Sequence, residues 1–137
     1  MNRYDYSDIY IGQTEHFTVC ITEAMLEKFM TLTGDNNRLH CEREFAIQHG
    51  YADRVCYGML TSSFLSTLAG VYLPGENSLI REVNIKFHKP VYVGDTLDIV
   101  GEVVSMQKNF NAFEMKVTIV NDKGERVLRG KMQMSVL

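Results

Sequence analysis

The sequence contains few of the residues that mark several classes of protein. In 137 residues it has no tryptophan, two prolines and three cysteines. The cysteines, Cys20, Cys41 and Cys56, are odd in number and form no Cys-x-x-Cys pair or zinc-type Cys/His cluster. We therefore expect reduced thiols, no disulfide framework and no bound metal.

The chain also lacks an excess of one charge. Fourteen lysine and arginine residues oppose 17 aspartate and glutamate residues, for a net charge of -3, and the two signs are interspersed. This balance gives no reason to expect nucleic acid or an anionic membrane surface as a partner. Residues 1–10 are polar and lack the apolar core of a signal peptide, so we expect a cytoplasmic protein. The length suits one domain, residues 1–137.

The first half of the sequence has the patterns of helices. After a short strand at 14–19, apolar residues recur at helical spacing over 22–33, and a short helix is expected at 41–48. Residues 55–75 contain no charged residue, and a helix is predicted at 59–73, about 22 Å long. Its many serines and threonines argue against a membrane span, so we expect this helix to be buried inside the protein.

The second half alternates apolar and polar residues with the period of strands. Such segments occur at 83–88, 97–103, 113–119 and 128–136, and residues 121–124 form a hairpin-turn sequence before the last of them. Strands with one apolar face, joined by hairpins, predict an antiparallel sheet. The uncharged helix is the only large apolar element available to cover that face. The predicted fold class is α+β, with a curved antiparallel sheet wrapped around one long central helix.

Reactive side chains are concentrated between Gly34 and His40. Asp35 and His40 are five residues apart, about 140° around an ideal helix, so a loop is needed to bring them together. We expect Gly34 to end the preceding helix and Asn37 to curl the loop. An Asp and His brought together can hold and transfer protons. By itself, however, such a pair is more often a helix-end aspartate with a surface histidine.

Four motifs follow one another along the chain. They are Gly34-Asp35-x-Asn37-x-x-His40, then Tyr57-Gly58-Met59-Leu60, then Ser66, then Lys86-Phe87-x-Lys89-Pro90-Val91-x-Val93-Gly94-Asp95. In this order and context they resemble the MaoC-like, (R)-specific enoyl-CoA hydratases of the hot-dog fold. The likeness extends from Thr14 to the last residue, and the predicted helix-in-sheet arrangement is that fold.

The resemblance implies reversible syn hydration of a trans-2-enoyl thioester, carried by coenzyme A or an acyl carrier, without a metal or redox cofactor. It implies that Asp35 and His40 hold the catalytic water. The backbone N–H of Gly58 would bond the thioester carbonyl, and Ser66 would support the active-site carboxylate by a hydrogen bond. A homodimer or larger homo-oligomer is also implied, with the thioester entering at the subunit interface.

The chain departs from the family pattern at two positions. Arg38 stands where relatives commonly have proline; it pairs with a phosphate of the carrier or has only a structural role. Tyr57 stands where relatives have histidine and is interpreted as a packing or hydrogen-bonding variant. Ser66 has a second interpretation, a hydrogen bond to the carbonyl one helical turn back.

Two other functions remain open. A hot-dog thioesterase needs a carboxylate to activate water, but no Asp/His pair after the first helix. A non-catalytic acyl-thioester-binding module would not need Asp35 and His40 intact. The favoured prediction is therefore a hydratase or dehydratase of acyl-CoA or fatty acid metabolism.

Overall fold

Five strands form a single antiparallel sheet in the structure, a computed structural model that describes residues 1–137. The strands follow the sheet order β1-β3-β4-β5-β2, so β1 and β2 are its edges. Their bounds are β1 Thr14–Cys20, β2 Ser78–Phe87, β3 Thr96–Gln107, β4 Ala112–Asn121 and β5 Arg126–Val136. The four strands predicted in the second half are confirmed, and each is longer than predicted.

The helices lie between β1 and β2 in the chain. They are α1 Glu23–Thr33, α2 Arg38–Cys41, α3 Arg43–Gln48 and α4 Gly58–Thr67, and α4 continues as a π-helical segment, Leu68–Tyr72. Two 3-10 turns, Tyr6–Asp8 and Lys108–Phe110, complete the secondary structure. None of the helices combines the length and the apolar composition of a membrane-spanning helix.

Local signals account for the ends of α1. The Thr22 side chain accepts a hydrogen bond from the Met25 N–H at 3.3 Å, which caps the first turn. Gly34 ends the helix with φ 77°, a left-handed conformation that glycine adopts at little cost. The helix predicted at 22–33 is confirmed, and its end fixes where the polar segment begins.

One hydrophobic core joins the sheet to the central helix. From the helix it includes Leu60, Leu65, Leu68 and Ala69. From the strands it includes the inward-facing residues Leu97, Ile99, Val103, Phe113, Met115, Val117, Ile119, Leu128, Met132 and Met134. The predicted α+β arrangement of an antiparallel sheet with one central helix is therefore confirmed.

The prediction that the whole central helix is buried was too broad. Leu60 and Leu65 are buried, but Met59 is 65% exposed, and Ser63 and Ser66 are also exposed. One sheet face can cover only one side of a helix, so the other side of α4 is uncovered in a single chain.

The segment predicted as a loop from Gly34 to His40 is partly helical. The Asn37 side chain accepts a hydrogen bond from the Leu39 N–H at 3.0 Å and starts α2, so His40 lies in a helical turn. The predicted 41–48 helix is interrupted at Glu42, whose backbone is extended, with φ -121° and ψ 114°. Asp35 and His40 can still approach each other because Asp35 precedes the capping residue and lies outside the helix.

Candidate active site

His40 is held in one orientation by the chain that follows α3. Its Nδ1 lies 2.7 Å from the Val55 carbonyl oxygen. A carbonyl only accepts hydrogen bonds, so Nδ1 must carry a proton and donate it. The Leu39 carbonyl also accepts the Val55 N–H at 3.1 Å, which joins the two segments. Nε2 of His40 is therefore the ring nitrogen left for chemistry.

Asp35 lies at the start of the polar segment with an exposed side chain. Its Oδ1 accepts a hydrogen bond from the Asn37 N–H at 3.1 Å, and its own N–H donates to Thr33 Oγ1 at 3.3 Å. No lysine, arginine or histidine forms an ion pair with it. The carboxylate therefore has one oxygen that shapes the turn and one oxygen without a partner in the protein.

Tyr57 connects the polar segment to the start of α4. Its hydroxyl donates to the backbone carbonyl of Asp35 at 2.7 Å, and its ring centroid lies 4.1 Å from that of His40. The residue is only 2% exposed. Burial, followed by the contact with Cys41, raises the pKa of Tyr57 to about 12. The hydroxyl therefore remains protonated and donates its hydrogen bond at any physiological pH.

Gly58 is the first residue of α4, and its N–H reaches no acceptor within the protein. A helix N-terminus presents such unpaired N–H groups together with the positive end of the helix dipole. The space where a Gly58 side chain would begin is filled: Phe87 ring atoms lie 3.1, 3.2 and 3.4 Å from that position. An aromatic ring therefore occupies the side of Gly58 where a side chain would begin.

Two cavities meet at these residues. The first, of about 410 Å³, is lined by Asp35 and His40 together with Phe29, Thr33, Tyr57, Gly58, Met59 and Phe87. The second, of about 280 Å³, is lined by His40, Tyr51, Val55, Cys56, Gly58, Thr61, Phe87, His88, Lys89, Pro90, Val91 and Val127. His40, Gly58 and Phe87 line both cavities. The structure thus brings together Asp35, His40, Tyr57 and Gly58 at the first cavity.

Two of the other predicted residues lie away from this junction. Ser66 is exposed on α4, about 12 Å along the helix from Gly58, and lines neither cavity. Arg38 donates from Nε and Nη2 to Glu42 at 3.0 and 2.8 Å, and its guanidinium carbon lies 4.6 Å from the centre of the Phe45 ring. These contacts within the chain match the structural role considered for Arg38, not the pairing with a carrier phosphate.

Cys56 lines the second cavity as a buried thiol. Burial raises the pKa of Cys56 to about 11, although a hydrogen bond with Thr61 opposes this effect. A thiol that remains protonated at neutral pH is a poor nucleophile. Cys56 is therefore a poor candidate for a nucleophile.

A family model described as the MaoC like domain matches residues 10–124. The chain belongs to the MaoC-like family. It is 29% identical over 133 residues to an (R)-specific enoyl-CoA hydratase of Rhodospirillum rubrum, covering 96% of this chain and 90% of the relative. It is 27% identical over 121 residues to the (R)-specific enoyl-CoA hydratase of Aeromonas caviae, covering 88% of this chain and 90% of that relative.

Comparison with solved structures also shows similarity to an (R)-hydratase. An unliganded R-hydratase of Pseudomonas aeruginosa superposes with a TM-score of 0.90 at 26% identity, covering 96% of this chain and 84% of the other. This likeness confirms the hot-dog fold that the motifs implied. The MaoC-like chain described here therefore has both the family's fold and its Asp-x-Asn-x-x-His pattern.

Several residues that line the MaoC-like site were not singled out from the sequence. Phe29 lies on a helical face and resembles an ordinary core residue, and Met59 and Phe87 belong to motifs that we used only to recognise the family. The charge-free context of Met59 and the motif position of Phe87 were signals that could have identified them. Neither signal indicates which side chain faces the cavity.

Proposed function

We propose that this chain is a hydro-lyase that reversibly hydrates trans-2-enoyl thioesters to (R)-3-hydroxyacyl thioesters. The main support is the presence, on one cavity, of an unpaired Asp35 carboxylate, a free His40 Nε2 and an unused Gly58 N–H. The names of the two similar hydratases support the same reaction and the (R) configuration.

The reaction requires a group that polarises the carbonyl, a base for the water and an acid that protonates C2, and the site has a candidate for each. The Gly58 N–H polarises the thioester carbonyl and makes C3 electrophilic. The side chains of Asp35 and His40 form no direct hydrogen bond with each other, and in the proposed reaction they hold the attacking water between them. One of them takes a proton as the water oxygen bonds to C3, and the other, which enters the step protonated, gives its proton to C2. A proton then passes from the first to the second and restores the pair. One water is thereby added across the double bond, and the enolate charge is stabilised at the helix N-terminus.

The first test is to mix purified protein with crotonyl-CoA and follow the absorbance of the conjugated thioester. We expect the absorbance to fall and chiral analysis to identify (R)-3-hydroxybutyryl-CoA. Release of free thiol would indicate a thioesterase instead. Tight binding of intact crotonyl-CoA would indicate a binding module, and either result would overturn the proposal.

We also propose that the active form is a homodimer paired through β2, in the cytoplasm. The two edges of the sheet differ: on β1 the exposed residues include Thr14, His16 and Thr18, whereas β2 exposes Val83 (44%) and Phe87 (52%). Ile80, which pairs with the core residue Met134, and Met59, which lines the first cavity with Phe87, extend this apolar surface, and a single chain leaves it uncovered. Apolar edge strands in soluble proteins are normally covered, and a second copy would cover this one by edge-to-edge pairing.

A charge on the helix-facing side of β2 is expected to break this dimer. Val83→Lys would place an ammonium in the apolar surface and should convert the protein to monomer in sedimentation velocity. The matched control is Asn84→Lys, which adds the same side chain to the opposite face of the same strand and should remain dimeric. A monomeric wild type, or a dimeric Val83→Lys variant, would contradict pairing through β2.

A further inference from the structure

Phe87 lies beside the proposed catalytic groups but has no role in the proposed reaction. Its ring is 52% exposed yet lies against Gly58, with Cε1 and Cζ 3.1 and 3.2 Å from where a Gly58 side chain would begin. It is also one of three residues, with Gly58 and His40, that line both cavities. The ring thus stands beside the point where the two cavities meet.

The covalent structure of a thioester fixes how it can lie once its carbonyl is bound at Gly58. When its carbonyl oxygen accepts the Gly58 N–H, the sulfur and C2 leave the carbonyl carbon in different directions. The acyl part belongs in the cavity with Asp35, because C3 must reach the water held there. The carrier arm would then pass into the second cavity, which His88 and Lys89 line. In that arrangement the Phe87 ring, which lines both cavities, would lie beside the sulfur, C1 and C2.

We propose that Phe87 is a specificity-determining residue that excludes enoyl thioesters with a branch at C2. A hydrogen at C2 fits beside the ring, whereas a methyl group there needs the ring to move away. Movement toward α4 is restricted because two ring atoms lie 3.1 and 3.2 Å from the position where a Gly58 side chain would begin. This inference rests on the proposed hydratase function for its substrate class, and the geometry of the ring is its own support.

The test is Phe87→Leu, which removes the aromatic face but keeps an apolar side chain on the β2 surface proposed to pair in the dimer; sedimentation velocity checks that the variant has the oligomeric state of the wild type. Its kcat/KM is measured with crotonyl-CoA and with the 2-methyl analogue, (E)-2-methylbut-2-enoyl-CoA. Intrinsic reactivity differs between the two substrates, but it cancels when their ratio is compared between proteins. We expect the ratio of branched to unbranched kcat/KM to rise about tenfold, the lower end of what one methyl group contributes in an apolar site.

Phe110→Leu is the matched control, since Phe110 is 75% exposed in the turn between β3 and β4 and lines neither cavity. Its substrate ratio should equal that of the wild type. An unchanged ratio in Phe87→Leu, or an equal change in both variants, would overturn the role of Phe87.

A binding measurement separates this inference from the hydratase proposal. Butanoyl-CoA and 2-methylbutanoyl-CoA have no double bond to hydrate, and titration calorimetry gives their dissociation constants. Phe87→Leu should improve the relative affinity for the branched thioester about tenfold. If crotonyl-CoA is not hydrated, the proposed reaction is wrong. The ratio of the two dissociation constants still decides the role of Phe87. If neither saturated thioester binds to the Phe87→Leu variant or to the wild type, the role of Phe87 is overturned, whereas the hydration of crotonyl-CoA still decides the proposed reaction.

Discussion

Replacement of Asp35 by asparagine is expected to lower kcat for crotonyl-CoA hydration by about 10² to 10⁴, the usual contribution of a positioned acid or base. Asparagine keeps the side-chain oxygen that accepts the Asn37 N–H, so the turn before α2 should be preserved. What it loses is the charged oxygen that takes or shares a proton with water. Initial rates followed by thioester absorbance, beside a thermal melt of each protein, measure both effects.

The control for this variant is Asp122→Asn in the hairpin turn between β4 and β5, which changes the net charge by the same amount away from the site. It should retain wild-type rates. If Asp35→Asn hydrates crotonyl-CoA at a near-normal rate while remaining folded, Asp35 is not the proton-handling carboxylate.

Replacement of His40 by asparagine should cause a loss of similar size. The asparagine amide can replace Nδ1–H as the donor to the Val55 carbonyl, so the local fold is retained, but nothing replaces Nε2. A folded protein with kcat lowered by about 10² to 10⁴ would therefore locate the function in Nε2. Because Asp35 and His40 are proposed to hold one water, the double variant should be little slower than the slower single variant.

His49→Asn is a closely matched control. His49 also donates from Nδ1 to a backbone carbonyl, that of Phe45 at 2.8 Å, but it is exposed and lines neither cavity. Its activity should remain at the wild-type level. Fully additive losses in the Asp35 and His40 double variant would argue against a shared water molecule.

Much of the fold was predictable because its signals are local. The Thr22 cap and Gly34 define α1, and the alternation of residues such as Phe113, Met115 and Val117 identifies a strand with one buried face. The errors also had local causes. The Asn37 cap was interpreted as a loop residue, although an asparagine side chain can equally start a helix, and this placed His40 outside a helix.

The site was predictable only in part. Asp35, His40 and Gly58 were singled out by their motif, and the structure places all three on one cavity. Ser66 follows from the same resemblance, yet it lies on the uncovered side of α4 and lines neither cavity of a single chain. Its supporting role remains a prediction, and a second subunit over that side of the helix would be needed to test it.

By itself, the sequence determined α1, the uncharged central helix, the antiparallel strands and the family to which the chain belongs. Those features depend on residue periodicity, caps and turns, which act between neighbours in the chain. Only the tertiary structure decided that His40 donates to Val55, that Tyr57 holds the Asp35 carbonyl and that Phe87 covers Gly58. These contacts join residues far apart in the chain, and they form only when α2, α4 and β2 pack against one another.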